Sequence, residues 1–301
     1  MARESESSGM ASFQGFEHIV REGEPLARHT WFRLGGQAEF FAEPTSVEEL
    51  SGLVRRCSEE GVPVRLLGGG SNVLLRDEGI KGLVIHLAAA PFCEIVVRGR
   101  TITAGGGAKL GHAISTAVRE GLAGLEQLVG IPGTIGGALH ANAGTHGGDI
   151  GQFTWGGTVI TRSGQIESRR RDELNFSYLQ SSLDELVILN AQFELEQDDP
   201  VELTKRMQKL WIVKKSSQPT SDQSIGCIFK DSGGVSAATL IEQAGLKGLK
   251  SGAAEVSDRN ANFIVAGRGA TSQDVLRLIE TMRRQVAEQT GVELELAIDV
   301  W

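Results

Sequence analysis

Two glycine-rich stretches decide the fold of this chain: residues 66–75, LLGGGSNVLL, and residues 124–151, GLEQLVGIPGTIGGALHANAGTHGGDIG. Glycine has no Cβ atom, so a glycine run lets the backbone approach a ligand closely and presents N–H groups to phosphate oxygens. The first stretch lacks the GK[ST] of a nucleotide triphosphate loop, and no helical pattern follows it as a Rossmann turn requires. Tight turns between strands remain the alternative for any single loop. Further glycine clusters in RLGG and AGGGAKLG favour a ligand.

Composition limits the class of partner. The chain has 301 residues, which suits two domains, and 30 basic against 38 acidic side chains give a net charge of -8. That charge argues against a surface that follows nucleic-acid phosphates, so a small molecule is the expected partner. Glycine accounts for 39 residues, about twice its average usage, which again directs attention to the loops.

The cysteines and the N-terminus bear on location. Cys57, Cys93 and Cys227 are far apart with no CxxC, so they predict neither a metal site nor a disulfide framework, and a reducing cytoplasm fits best. Residues 1–27 begin with a polar stretch that reads as neither signal peptide nor anchor, and we expect them to be disordered or weakly ordered. No apolar run approaches the roughly 18 residues that span a bilayer.

Local patterns predict an α+β chain in two parts. Residues 45–61 predict an amphipathic helix with a Thr45 N-cap and Cys57 in the core. Strands, two hairpins and a second helix follow up to residue 197, and QDDPVEL at residues 197–203 is the best domain boundary. Beyond it we predict three helices and strands that include ANFIVAG and VELELAIDV at residues 292–300.

At this point the residues resemble a known family. LLGGGSNVLLRDEGIKGLVIHL, the 124–151 stretch, IGCIFKD, AATLIEQAGLKG and ANFIV occur in the order and spacing of the flavin-dependent UDP-N-acetylenolpyruvoylglucosamine reductases of peptidoglycan synthesis. The resemblance covers about residues 28–300. The short length between Asn190 and Lys214 is similar to the compact subclass, which lacks a tyrosine-bearing insertion. The resemblance to this family implies an FAD-binding domain of the vanillyl-alcohol-oxidase type over residues 28–197 and a smaller α+β substrate domain over residues 198–301.

The resemblance also implies a set of site residues. GGGSN and GIPGTIGG would hold the FAD pyrophosphate and isoalloxazine. The implied cofactor contacts are Arg33, Gly68, Gly69, Gly70, Ser71, Asn72, Val73, Ile131, Pro132, Gly133, Thr134, Gly136, Gly137, Asn142 and Gly144. The implied substrate contacts are Tyr178, Lys215, Lys230 and Asn262, and no metal is implied. Lys215 could instead be a solvated cation at a helix end, and Tyr178 a core ring with a polar edge.

The family reaction assigns a role to Cys227. NADPH reduces FAD, the hydride passes to the enolpyruvyl double bond, and a protein acid protonates the neighbouring carbon. Cys227 in SIGCIFKD occupies the position of that acid, which is usually serine and in some members cysteine. A thiol with an ordinary pKa near 8.5 is largely protonated at neutral pH and can donate a proton. The alternative is a small buried hydrophobe between apolar neighbours.

Some positions depart from the family pattern. Leu179 replaces an arginine that helps to stabilise the intermediate, and Ala297 replaces a glutamate of the proton-transfer step. Asp231 and Asn260 replace an asparagine and a histidine. Glu295 shares the predicted strand face of Ala297 and is the better substitute carboxylate.

Three functions compete on these grounds. The first is the reductase, and the second is a homologue that binds FAD but no longer turns over. The third is another flavin oxidase, which is weakest because LLGGGSN has no histidine to tether a flavin.

Overall fold

The protein is described by a computed structural model that covers residue 10 and residues 12–145, 147–219 and 224–301. It divides into two compact units. The first contains Ala38–Gly69, Lys81–Leu210 and the described residues before Pro25, and the second contains Pro25–Gln37, Gly70–Ile80 and Trp211–Trp301. The predicted boundary is at residues 197–203, and the two units divide between Leu210 and Trp211. Two segments predicted for the flavin domain, before residue 38 and after residue 69, belong to the second unit.

The helices and strands follow in chain order. The α-helices are α1 Val47–Glu60, α2 Ala90–Cys93, α3 Leu110–Arg119, α4 Ile135–His140, α5 Pro200–Ser217, α6 Ala237–Gln243 and α7 Ser272–Thr290. The strands are β1 Val20–Pro25, β2 Gln37–Ala42, β3 Val64–Leu67, β4 Val73–Leu74, β5 Ile80–His86, β6 Ile95–Arg98, β7 Thr101–Gly105, β8 Leu122–Ala123, β9 Gly144–Thr145, β10 Gly148–Asp149, β11 Thr154–Ile160, β12 Ile166–Arg170, β13 Phe176–Ser177, β14 Gln180–Ser181, β15 Val187–Glu194, β16 Glu196–Gln197, β17 Ser224–Cys227, β18 Lys250–Ser251, β19 Ala254–Val256, β20 Phe263–Ala266 and β21 Asp299–Val300.

Two larger sheets organise the first unit, beside three short two-stranded pairs among the described residues. One has the order β1-β2-β5-β3 with β3 and β5 parallel, and the other is antiparallel with the order β12-β11-β15-β7-β6. The apolar face of α1, with Leu50, Leu53, Val54 and Cys57, is buried in the core. The helical spacing of these residues brings them onto one face, as predicted. The N-cap of α1 is Ser46 rather than Thr45, because the Ser46 hydroxyl accepts from the Glu49 N–H at 3.1 Å.

The second unit has one four-stranded antiparallel sheet and two principal helices. The sheet order is β17-β20-β19-β18, and α6 and α7 contribute to its apolar core. A capping box between Thr271 and Asp274 begins α7, and Gly291 ends it in the left-handed region at φ 72°. Strand β21 pairs in parallel with β4, which directly follows the first glycine loop.

Two sequence predictions are wrong in part: the weak order of the N-terminal segment and the length of the last strand. The segment expected to be weakly ordered includes the fully buried Phe13 and strand β1, because its apolar side chains pack into the core of the first unit. Residues 1–9 and 11 lie outside the described residues. The strand predicted over 292–300 is reduced to β21 and one bridge, because the N–H groups of Ala297 and Ile298 both donate to the Ile228 carbonyl and break the alternation.

No helix in the part of the chain that the structure describes is long and apolar enough to cross a membrane.

Candidate active site

The two glycine stretches meet in the first unit. A Cβ atom added to Gly69 would lie 2.9 Å from the Cα atom of Gly133, and one added to Gly68 would lie 2.8 Å from the Thr134 hydroxyl. The contact from Gly69 is with backbone, so glycine is required there for this approach, whereas a side chain at 68 would force the Thr134 hydroxyl to move. Gly133 has a φ of 114°, which other residues rarely adopt. The loops therefore form a bare backbone cradle, which fits a dinucleotide cofactor such as FAD.

The N-terminus of α4 is not an open anion site. Its first N–H groups donate within the protein: Ile135 to the Ala108 carbonyl at 2.9 Å, Gly136 to the Gly106 carbonyl at 2.8 Å and Gly137 to the Thr134 hydroxyl at 3.4 Å. The first two bonds attach the second glycine stretch to a third, AGGGAKLG.

The first loop continues into the second unit, where its side chains have structural partners. Gly70 has a φ of 62°, and an added Cβ atom would collide with the His29 carbonyl. The Asn72 amide donates to the Ala297 carbonyl at 2.9 Å, and the Asn72 carbonyl accepts from the Asp299 N–H at 3.0 Å. The side chain of Asn72, a predicted cofactor contact, thus links the loop to the C-terminal segment.

Asn142 likewise has a structural role. It is 2% exposed, its amide nitrogen donates to the Ser177 carbonyl at 2.8 Å and its amide oxygen accepts from the Gly151 N–H at 3.1 Å. The Ser177 bond holds the β13–β14 hairpin, whose turn is Tyr178 and Leu179. Tyr178 is 60% exposed, which argues against a core ring, and Leu179 has an unusual φ of 52°.

The other predicted cofactor residues differ in their exposure to solvent. Arg33 is exposed with a φ of 54°, Ser71 and Ile131 are half-buried, Val73 is buried in β4, and Pro132 and the β9 residue Gly144 are exposed.

Cys227 is the last residue of β17, opposite Phe263 of β20, and it is exposed. The pKa of its thiol is raised to about 11, first by desolvation among the many surrounding atoms and then by the negative charge of Asp231. The Ile228 N–H and the Lys214 charge oppose the rise. Such a thiol is protonated at neutral pH, so it can give up a proton to a strong base but is a poor nucleophile.

Lys214 is a neighbour of the thiol that sequence reasoning missed. Burial lowers the pKa of Lys214 to about 8, and the electrostatic effect of Cys227 opposes that shift. Its neighbour Lys215, the predicted substrate contact, is exposed, and its Nζ atom lies 5.0 Å from the centre of the Trp211 ring. The sequence gives two adjacent lysines with the same chemistry, and only burial distinguishes them.

The remaining substrate candidates and replaced positions lie near β17. Lys230 Nζ lies 3.5 Å from the Glu295 carboxylate, so the expected substitute carboxylate is paired with a predicted substrate contact. Asn262 is buried and bonded to residues 227 and 229, so its side chain supports the loop around the thiol. Asp231 accepts from the Ala237 N–H at 2.8 Å at the start of α6.

Asn260 accepts from the Asn262 N–H at 3.0 Å and donates to the Ser217 carbonyl at 3.4 Å. It thus connects the end of α5 to the turn that carries Asn262. Among the described residues, no group of three histidine, cysteine or carboxylate side chains could hold a metal ion.

Comparison with known proteins gives concordant matches. The model of the UDP-N-acetylenolpyruvoylglucosamine reductase C-terminal domain matches residues 218–301, and an FAD binding domain model matches residues 38–169. A reductase of that name from Rhodopirellula baltica is 40% identical over 284 residues, which are 94% of this chain and 93% of the relative. One from Heliobacterium modesticaldum is 41% identical over 280 residues, 92% and 89% of the two chains.

A solved structure agrees with the sequence matches. The crystal structure of the Thermus caldophilus enzyme has a TM-score of 0.82 and 35% identity, and the match covers 94% of this chain and all of that one. The predicted fold, an FAD-binding domain with a smaller α+β domain, is confirmed.

Proposed function

The chain belongs to the UDP-N-acetylenolpyruvoylglucosamine reductase family, and from this premise we propose that it reduces UDP-N-acetyl-3-O-(1-carboxyvinyl)glucosamine to UDP-N-acetylmuramate for peptidoglycan synthesis. FAD is the cofactor and NADPH the reductant. The observation that carries the proposal is the backbone cradle in which Gly68 and Gly69 approach Thr134 and Gly133.

The cradle explains why the loops are glycine-rich. A cofactor with a diphosphate and two ring systems needs a long contact surface without projecting side chains. When bound, FAD would supply the hydride that it receives from NADPH. The chain's own part is to bind and orient the cofactor and to deliver the proton.

We assign the proton to Cys227. The S–H bond breaks as a C–H bond forms at the carbon next to the one that accepts the hydride, and the thiolate then takes a proton from solvent. A raised pKa keeps the thiol protonated until a strong base, the carboxylate-conjugated carbanion, is present. Cys227 is an exposed residue at the end of β17, which suits a donor that meets a substrate.

Cationic and aromatic side chains of each unit suit a sugar nucleotide. In the second unit we assign Lys215 to the diphosphate, since it is an exposed cation at the end of α5, and Lys230 to an anionic group of the substrate. In the first unit, the exposed Tyr178 offers a ring and a hydroxyl from its hairpin turn. A cytoplasmic location follows from a sugar-nucleotide substrate and from three free cysteines.

A second candidate function is FAD binding without turnover. The replacement of the expected arginine by Leu179 and of the expected glutamate by Ala297 favours it. Loss of one preorganised group at a developing oxyanion slows a reaction by about 100- to 1000-fold, and losses within one catalytic unit are not additive.

Anaerobic stopped-flow absorbance of the flavin separates the two candidates. NADPH is added first, and the enolpyruvyl sugar nucleotide is added to the reduced protein. Reoxidation that depends on the sugar nucleotide supports the reductase, whereas reduction without any such reoxidation leaves the FAD-binding homologue.

A further inference from the structure

We propose that Asn262 is a positioning residue for the proton donor: its side-chain amide donates a hydrogen bond to the Cys227 sulfur and fixes the backbone beside it, so the S–H group is directed away from Asn262. The inference rests on the proposed function only in taking Cys227 as the donor. Asn262 is also one of the substrate contacts that the family resemblance implies, and the positioning role does not depend on that contact.

The orientation of the amide is fixed by its partners. The Asn262 Oδ1 atom accepts from the Phe229 N–H at 2.9 Å, and the Nδ2 atom donates to the Phe229 carbonyl at 2.8 Å. A backbone N–H can only donate and a carbonyl can only accept, so the amide cannot be turned over without breaking both bonds. The group that faces Cys227 is therefore the NH₂ group.

The second hydrogen of that group faces the thiol. The Nδ2 atom lies 3.5 Å from Cys227 Sγ, which is hydrogen-bond distance for sulfur. Because Nδ2 is only a donor, the sulfur must accept, and the thiol proton lies elsewhere. The same N–H stabilises the thiolate that remains after proton transfer, since a hydrogen bond to the charged form favours that form.

Asn262 is held rigidly enough to act in this way. Its side chain is buried at 6% exposure, its N–H donates to Asn260 Oδ1 at 3.0 Å, and its carbonyl accepts from the Ile228 N–H at 3.0 Å. Strand β17 ends at Cys227, and the Asn262 amide makes the next pair of bonds to Phe229 where a strand backbone would make them. The cysteine is thereby fixed on both sides.

Two charged groups also affect the ionisation of the Cys227 thiol, and their effects have to be kept constant when variants are compared. Asp231 disfavours the thiolate and Lys214 favours it. A neutral substitution at Asn262 keeps both charges and adds none, so a change in thiol ionisation in such a variant belongs to the lost amide.

The experiment measures ionisation of the thiol without any turnover. Cys227 is alkylated with iodoacetamide over a range of pH, and mass spectrometry of the peptide that contains residue 227 gives its rate. Asn262→Ala removes the amide, and Asn262→Leu keeps roughly its volume while supplying neither a donor to sulfur nor a new charge. We expect alkylation at a fixed pH below the midpoint to slow by about tenfold, which corresponds to one pKa unit.

Asn260→Ala is the matched control, because it weakens the same turn without contacting the sulfur. An unchanged curve in the Asn262 variants, or an equal shift in Asn260→Ala, overturns the proposal.

A measurement on the unsubstituted holoenzyme covers the case in which the variants fail to fold. The side-chain NH₂ resonances of Asn262 should shift with the same midpoint as the alkylation curve, and this shift should vanish in Cys227→Ala. Resonances that do not respond to thiol ionisation overturn the proposal. Because neither measurement uses the sugar nucleotide, a failure here is distinct from a wild-type protein that shows no reoxidation, which would refute the proposed function.

Discussion

The side-chain amide of Asn72 donates a 2.9 Å hydrogen bond to the backbone carbonyl of Ala297, 225 residues further along the chain. The next residues of both segments pair in parallel, Val73 with Asp299 and Leu74 with Val300. The loop that the sequence identifies as a flavin loop is thus braced by the last residues of the second unit. Ala297 replaces the glutamate that the family resemblance leads us to expect, and its backbone carbonyl accepts the hydrogen bond from Asn72.

Removing the Asn72 link should loosen the loop. We expect Asn72→Ala to lower the free energy of unfolding by about 0.5 to 1.5 kcal/mol, the usual net value of one hydrogen bond, and to weaken FAD binding. Asn72→Asp, which has the same shape but no donor, should do the same. Urea denaturation and titration of the apoprotein with FAD measure both effects. Full stability and affinity in both variants would show that the bond is dispensable.

The glycine cradle can be tested by adding one carbon atom. Gly69→Ala should abolish or greatly weaken FAD binding and bleach the yellow protein, because its Cβ atom would displace Gly133. Gly111→Ala is the matched control: this glycine lies in α3 with no atom within 4 Å of an added Cβ. It should keep FAD and gain about 1 kcal/mol of stability from helix propensity. Flavin absorbance after gel filtration gives the result, and equal FAD content in both variants would contradict the cradle.

The turn before GIPG depends on a buried carboxylate. Glu126 is fully buried, accepts from the Gly124 N–H at 2.6 Å and pairs with Arg206 at 2.9 Å. Arg206→Ala leaves the buried carboxylate without its cation, and because Arg206 is itself about half exposed we expect a cost of about 1 to 3 kcal/mol. Arg119→Ala breaks only the exposed pair with Glu120 and should cost less than about 1 kcal/mol. Urea denaturation compares the two, and similar losses would contradict the assignment.

Acid should destabilise the protein partly through Glu49. The His18 hydrogen bond, followed by bonds from Thr45, lowers the pKa of Glu49 from 4.5 to about 2. A folded pKa below the unfolded value stabilises the protein above about pH 4.5, and this contribution is lost as the pH falls towards 2. Glu49→Gln should therefore reduce the difference in stability between roughly pH 6, above this window, and pH 3, where much of the contribution is lost. Urea midpoints at the two pH values test this, and an unchanged difference would contradict it.

The donor assignment predicts a selective kinetic defect. Cys227→Ala should leave reduction of the flavin by NADPH nearly unchanged and slow reoxidation by the sugar nucleotide by about 100- to 10,000-fold, the usual contribution of a positioned acid. Cys227→Ser should retain part of the rate. Leu179→Arg combined with Ala297→Glu should raise the wild-type rate if those losses limit it. A Cys227→Ala protein that reoxidises at the wild-type rate would remove the thiol from the reaction.

Local sequence determined much of this structure. The helices over residues 47–60, 110–119 and 272–290 follow from apolar spacing, and the hairpins follow from alternation around Gly99 and Gly164, because these signals depend on near neighbours in the chain. The glycine motifs also identified the family and the FAD cofactor, since their order and spacing are specific.

Tertiary structure decided the rest. The sequence does not indicate that residues 25–37 and 70–80 join the C-terminal unit or that Asn72 and Asn142 have structural partners. Nor does it indicate that Lys214 is half-buried and acts electrostatically on the thiol while Lys215 is exposed. An asparagine can serve a cofactor, a substrate or the backbone with the same two groups, and only the positions of distant partners select among these. For Asn262 those partners are Phe229 and Cys227, more than 30 residues earlier, and they determine which side of the amide faces the sulfur.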